Sequence, residues 1–182
     1  MNRLNKHYKH VVQYDLVTKL SHVNCITLPK IKSINLNFGV RGAALSDKKI
    51  LPSLLALEIL TGQKGIITKS TKDLINWKIR KGMLIGCKVN IRNDTLLLAF
   101  LEKLVILTLP RIRYFNGIRK KQVSLNGNLN LTINDLLSFH ELEQEYDKFK
   151  NLPPLDISIV TTAKTRAEGL LLLTSFQLPF IK

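Results

Sequence analysis

The sequence predicts an α+β fold: an antiparallel sheet with helices packed on one face, and one long basic loop. Three observations lead there. Segments with apolar residues at helical spacing are mixed along the chain with segments of period two. Two of the period-two segments carry polar residues on one face and apolar residues on the other, as a half-covered antiparallel sheet requires. A turn signal at Asn126-Gly127 stands between short runs that can pair as a hairpin.

Leu4, Tyr8, Val11, Val12, Leu16 and Leu20 define a first helix over residues 3–20. Pro29 resets the chain, after which Ile34, Leu36 and Phe38 alternate with Ser33, Asn35 and Asn37 in a half-buried strand. Ser46 or Asp47 can cap a second helix bearing Leu51, Leu54, Leu55 and Ile59, which stops at Gly62. Pro52 suits that helix only if its regular part begins nearby. Ile66-Ile67-Thr68 reads as a short strand. In the clearest strand Ile85, Cys87, Val89 and Ile91 face one way, and Gly86, Lys88, Asn90 and Arg92 the other. Asn93 or Asp94 caps a helix with Leu97, Phe100, Leu101, Leu104 and Leu107 on one side, ended by Pro110. For the hairpin, a three-residue loop pairs Leu125 with Leu129 and Val123 with Leu131, keeping apolar opposite apolar, with Asn128 left-handed. Leu155, Ile157 and Ile159 make a last strand, and Thr165 with Glu168 a capping box for a last helix to about residue 175.

Charge narrows the function. Among 182 residues, 28 Lys and Arg oppose 13 Asp and Glu, a net of +15, while 45% apolar content is enough for a core. Such a balance implies a polyanionic partner, nucleic acid before an anionic membrane surface. Residues 1–132 carry a net +17 and residues 133–182 a net −2, so the C-terminal quarter does little of the attracting. With no repeat, low-complexity tract or Gly/Ser linker, one domain over 1–182 is expected. The longest apolar run, Leu96 to Leu107, is broken by Glu102 and Lys103, too short for a membrane span. The first ten residues lack a signal peptide's apolar core and make a poor transit peptide. Cys25 and Cys87 are solitary, which fits reduced apolar fillers rather than a disulfide or zinc framework.

Catalytic patterns are missing. His7 and His10 have no carboxylate or Cys nearby to complete a metal set, and His140 sits beside an ordinary acidic surface. Gly62-Gln-Lys-Gly65 lacks the spacing of a phosphate loop. No enzyme, cofactor or metal is expected. Binding patterns are present. Residues 69–82 hold Lys69, Lys72, Lys78, Arg80 and Lys81, a single acid (Asp73) and the only tryptophan, Trp77. A loop of that length in a compact domain is functional or disordered; its cations can neutralise phosphates, and Trp77 either stacks on a base or pins the loop. Lys88, Asn90 and Arg92 project together, about 7 Å apart along the strand. Beside Ser33, Asn35 and Asn37 they would form a polar face, either washed by solvent or laid against phosphates and 2′-hydroxyls.

Several motifs occur in the order of one family: Leu36-Asn-Phe-Gly-Val40, Gly62-Gln-Lys64, Ile67-Thr-Lys69, Lys78-Ile-Arg-Lys-Gly82, Ile85-Gly-Cys-Lys-Val89, Pro110-Arg-Ile-Arg113, Leu155-Asp-Ile-Ser-Ile-Val-Thr-Thr-Ala-Lys164 and Leu178-Pro-Phe180. The chain resembles bacterial-type ribosomal protein L-five over nearly its whole length. The resemblance implies an α+β structural protein of the large subunit's central protuberance, bound to 5S rRNA, where the ribosome retains it, and to large-subunit rRNA. It implies rRNA contacts at Asn37, Gln63, Asn90 and Arg92, which Lys88 joins on the strand face. It also implies that the loop cations Lys69, Lys72, Lys78, Arg80 and Lys81 face the elbow of P-site tRNA, with a bridge to a head protein of the small subunit and contacts to neighbouring central-protuberance proteins. Asn90 stands where the family usually has threonine, His140 where it has proline, and Arg41-Gly-Ala-Ala-Leu-Ser46 departs from the usual Gly-Glu-Ala pattern. Abundant Asn, Ile, Leu and Lys with only 9 Gly is the bias of an AT-rich genome, which points to a mitochondrial ribosome before a plastid or bacterial one. The rival reading is a free-standing basic nucleic-acid-binding or chaperone protein.

Overall fold

A computed structural model describes residues 3–20, 27–40, 47–73 and 75–181. Helices accompany a five-stranded antiparallel sheet of order β2-β3-β1-β5-β4, with β1 Ile31–Gly39, β2 Ile66–Lys69, β3 Leu84–Ile91, β4 Leu129–Ile133 and β5 Leu155–Thr161. The α+β expectation is therefore met. Two compact units divide the chain, one from residues 1–34, 92–131 and 158–182, the other from 35–91 and 132–157. Among the described residues no helix is long and apolar enough to cross a membrane.

In the first unit, helix α1 spans residues 3–20 as expected, but widens into a π turn over Tyr8–Val12. Val12 and Leu16 are buried. Tyr8 stacks on Phe176 with ring centroids 5.8 Å apart, and burial raises its phenol pKa. His7 meets the Ser175 carbonyl at 3.2 Å rather than a metal set. Asn93 caps the next helix by accepting from the Thr95 amide. That helix, α3 by chain order (α2 lies in the second unit), covers residues 94–111. It takes in Pro110 and ends one residue later, at Arg111, close to the stop expected at the proline. A π turn over Lys103–Thr108 precedes the proline, so its missing amide falls where the hydrogen-bond pattern is already changing. The same wide turn buries Thr108 and leaves Leu107 half exposed.

The hairpin differs from the expected register. Val123, not Leu125, pairs with Leu129, and Leu125 is 80% exposed. Gly127 takes the left-handed conformation (φ 74) in place of Asn128, since only glycine does so without a Cβ penalty. Asn128 instead accepts from the Thr161 amide through Oδ1 at 2.9 Å. The last helix, α6 (Arg166–Ser175), is capped by Thr165, which accepts from the Glu168 amide at 3.3 Å. Glu168 reaches back to the Lys164 amide rather than to that of Thr165.

In the second unit, a 3₁₀ turn (Asp47–Ile50) leads into helix α2 (Leu51–Thr61). Its N-cap, Ile50, makes no side-chain cap bond; Ser46, one of the expected caps, lies outside the described residues. Pro52 sits in the first turn, where a proline is tolerated, and Gly62 ends the helix in the left-handed region. The buried stripe is Ser53, Ala56, Leu57, Leu60 and Thr61. Of the stripe read from sequence, Leu51, Leu55 and Ile59 are exposed. The helix is apolar on most sides, so spacing alone offered two stripes. Leu142 and Phe149, from helices α4 (His140–Glu143) and α5 (Tyr146–Phe149), complete this core.

Candidate nucleic-acid interface

The strand faces come first. On β3, Cys87, Val89 and Ile91 are buried while Lys88 and Asn90 are exposed, the alternation that the period of two predicts. Gly86 is the exception on the polar side, being buried. A Cβ added there would stand 2.0 Å from the Phe38 carbonyl oxygen, so glycine is what lets β1 and β3 lie so close. The Val40 amide donates to the Ile85 carbonyl at 2.9 Å. With Gly86 lying against Phe38 and Gly39, this bond places the exposed end of β1 beside β3. On the other side Ile66 of β2 pairs with Lys88. Ile66 and Lys88 are therefore cross-strand neighbours, about 5 Å apart at Cβ, and both are exposed, as is Asn37 on the adjoining strand β1.

The expected polar row on β1 is shorter than the sequence suggested. Asn37 is exposed and Asn35 half-buried, but Ser33 is buried at 8% exposure. Asn35 Oδ1 is enclosed without a hydrogen-bond partner. Gln63 lies in the turn before β2, half-buried. Thr61 Oγ1 accepts from its amide at 3.2 Å and donates to its carbonyl at 3.3 Å, fixing the backbone. Arg92 is exposed and follows β3 directly, as the first residue of the chain's return to the first unit.

The basic loop is built from its base outward. Two backbone bonds, Ser70 amide to Met83 carbonyl and Gly82 amide to Ser70 carbonyl, both at 2.8 Å, close it. Ser70 Oγ donates to the Lys72 carbonyl at 2.6 Å. A 3₁₀ turn spans Ile75–Trp77, and Lys78 follows at φ 54, a left-handed non-glycine that reverses the chain. Asp73, the one acid, is spent internally: its Oδ1 accepts from the Lys81 amide at 2.6 Å. Lys69, Lys72, Lys78, Arg80 and Lys81 are all exposed, and among the described residues no carboxylate pairs with them. The side chain of Trp77 lies outside the described residues, as do Leu74, Cys25 and residues 41–46. Sequence reasoning missed Ile75, 89% exposed on this loop, and Ile66; strand register, not residue type, reveals the second. Cys87, by contrast, is the buried filler expected, and burial pushes its thiol up to about 11.

The strand face and the loop offer donors and positive charge on backbones held in place. Comparison with known proteins identifies the setting. Residues 84–180 match the C-terminus of the ribosomal L5 family and residues 24–80 match ribosomal protein L5. The chain is 47% identical over 182 residues to the large ribosomal subunit protein uL5m of Reclinomonas americana, covering 100% of both chains. It is 40% identical over 183 residues to the large ribosomal subunit protein uL5 of Hamiltonella defensa subsp. Acyrthosiphon pisum (strain 5AT), again covering 100% of both. This is a structural, non-enzymatic constituent of the large ribosomal subunit, with rRNA for a partner. The chain belongs to the ribosomal protein L5 family, as its motifs implied.

Proposed function

We propose that the chain binds 5S rRNA and large-subunit rRNA in the central protuberance through Asn37, Gln63, Lys88, Asn90 and Arg92. The basic loop reaches the elbow of P-site tRNA, and the protein bridges to the small-subunit head. The observation that carries the reading is the exposed pair Lys88 and Asn90, beside the strand that bears exposed Asn37, on a strand whose reverse side is sealed by Cys87, Val89 and Ile91. A ligand on that face meets side chains carried on a paired strand, so the backbone beneath them needs no ordering on binding. Amides and a lysine without acids among them suit phosphate and 2′-hydroxyl groups. The loop cations, free of carboxylates, suit a second RNA. Greater identity to the mitochondrial relative than to the bacterial one, 47% against 40%, supports a mitochondrial ribosome.

Binding of 5S rRNA across a salt series tests the face. The double variant Lys88→Glu, Arg92→Glu should weaken binding and flatten the log–log salt dependence by roughly one unit of slope per lost phosphate contact. Unchanged affinity at matched salt would sink the reading. Changing the five loop cations to Gln should leave 5S rRNA affinity in place and lower P-site tRNA retention by reconstituted subunits.

A further inference from the structure

Residues 103–134 contain six Lys and Arg and no Asp or Glu, and the interface above uses none of them. Arg111, Arg113, Arg119, Lys120 and Lys121 are exposed. Among them stands Tyr114, 96% exposed and left-handed, at φ 58. A left-handed backbone disfavours any residue with a Cβ, and tyrosine lacks the short polar side chain that lets Asn or Asp tolerate it. Neither packing nor local backbone preference accounts for an aromatic ring here. Strain of this kind persists where the surroundings impose it, and it clusters at functional positions.

The surroundings do impose it. Behind Tyr114 the Ile112 amide donates to the Leu109 carbonyl at the end of α3. Ahead of it, the Ile118 amide donates to Pro179 at 2.7 Å and the Ile118 carbonyl accepts from Ile181 at 3.0 Å. Gly117, at φ 101, fits under Pro179, where a Cβ would meet the carbonyl oxygen at 3.1 Å. The Arg166 guanidinium donates to the Lys120 carbonyl, and the Arg119 amide to Gln122 Oε1 at 3.0 Å. The ring is thus presented to solvent on a short segment tied down at both ends, flanked by cations with no acid in the segment.

We propose that Tyr114 is a stacking platform for an unpaired nucleotide of large-subunit rRNA, with Arg113, Arg119, Lys120 and Lys121 holding the neighbouring phosphates. This deepens the RNA-binding reading above and rests on it only for the identity of the partner. A flat aromatic face accepts any base, whereas a paired base keeps its faces covered by its neighbours in the stack. The platform therefore discriminates by strandedness, and the cations supply attraction blind to sequence.

The test compares two RNAs at matched salt: a hairpin with an adenine-rich loop, and a blunt duplex with the same number of phosphates. Tyr114→Ala should weaken hairpin binding about five- to a hundredfold and leave duplex binding unchanged, while Tyr114→Trp restores the hairpin affinity. Tyr114→Gly, which relieves the left-handed strain, should fold at least as well as the parent yet bind the hairpin as poorly as the alanine variant. Equal hairpin binding by Tyr114→Ala and the parent overturns the proposal. So does a uniform loss on both RNAs, or a variant that binds RNA normally but fails to enter large subunits, which would assign Tyr114 to a protein contact. Repeating Tyr114→Ala in the Lys88→Glu, Arg92→Glu background separates the two sites: the hairpin loss persists there if the platform acts alone, even where the sheet-face reading fails, and its disappearance overturns the proposal.

Discussion

Replacing Gly86 by alanine tests the arrangement of the polar face directly. The new Cβ would lie 2.0 Å from the Phe38 carbonyl oxygen and 3.1 Å from its carbon. Both are backbone atoms, so no side-chain rotation relieves the clash. Reaching even a tight 3.0 Å contact requires β1 and β3 to part by about 1 Å. The Val40–Ile85 bond, now 2.9 Å, would stretch to about 3.9 Å, beyond hydrogen-bond range. Losing about two ladder bonds at about 1 kcal/mol each, with about 1–3 kcal/mol of overpacking strain, gives a cost of about 3–5 kcal/mol. For a chain of this size that corresponds to a melting point lower by about 10 °C. Gly39→Ala is the control, because it adds the same atom where nothing lies within 4 Å; it should cost no more than about 0.5 kcal/mol. Melting followed by circular dichroism distinguishes the two. Equal melting points for both variants would refute the close approach of β1 and β3.

Two further outcomes are expected. Gly169 lies within helix α6, where Gly→Ala ordinarily gains up to about 1 kcal/mol. Here the added Cβ would sit 2.4 Å from the Gly127 Cα, so Gly169→Ala should destabilise by about 2 kcal/mol, read from urea midpoints; a gain would show that the 123–129 turn gives way. Cys87 supplies a pH dependence. Burial raises its thiol from 9.0 to about 11 in the folded chain, so the unfolded chain releases this proton first. The stabilisation is intact below pH 9 and lost as pH rises through 11, by about 2–3 kcal/mol in all. The difference between parent and Cys87→Ala in urea unfolding across that range isolates it, and parallel profiles would contradict it.

Elements were legible wherever one periodicity had no competitor. Residues 87–92 alternate strictly, so strand, face and exposed cation all followed from spacing. Helix α2 was legible as a helix but not in its orientation, because Leu51, Leu54, Leu55, Ala56, Leu57, Ile59 and Leu60 surround the axis and only packing chooses among them. Pro110 marked the end of its helix to within one residue, whereas the π turn over Lys103–Thr108 before it carried no mark in the sequence. The 123–129 turn misled because matching apolar partners outweighed the simpler preference of Gly127 for positive φ, and the use found for Asn128 by Thr161 was not local.

The candidate site divides along the same line. Lys88, Asn90, Arg92 and the loop cations were readable because charge and alternation are properties of one segment. Ile66 on the polar face, the glycine demanded at 86 and the buried Ser33 depend on which strand lies beside which. That dependence has a functional consequence. A net charge of +15 attracts any polyanion, and exposed lysines on flexible stems discriminate poorly. What can make the contact selective is the part the sequence showed least. Gly86 sets how closely β1 and β3 approach, and an exposed apolar side chain, Ile66, stands beside Lys88. For the proposed RNA contact, Gly86→Ala should therefore change the ratio of 5S rRNA to non-cognate RNA affinity, read by competition binding at matched salt, more than Lys88→Gln does.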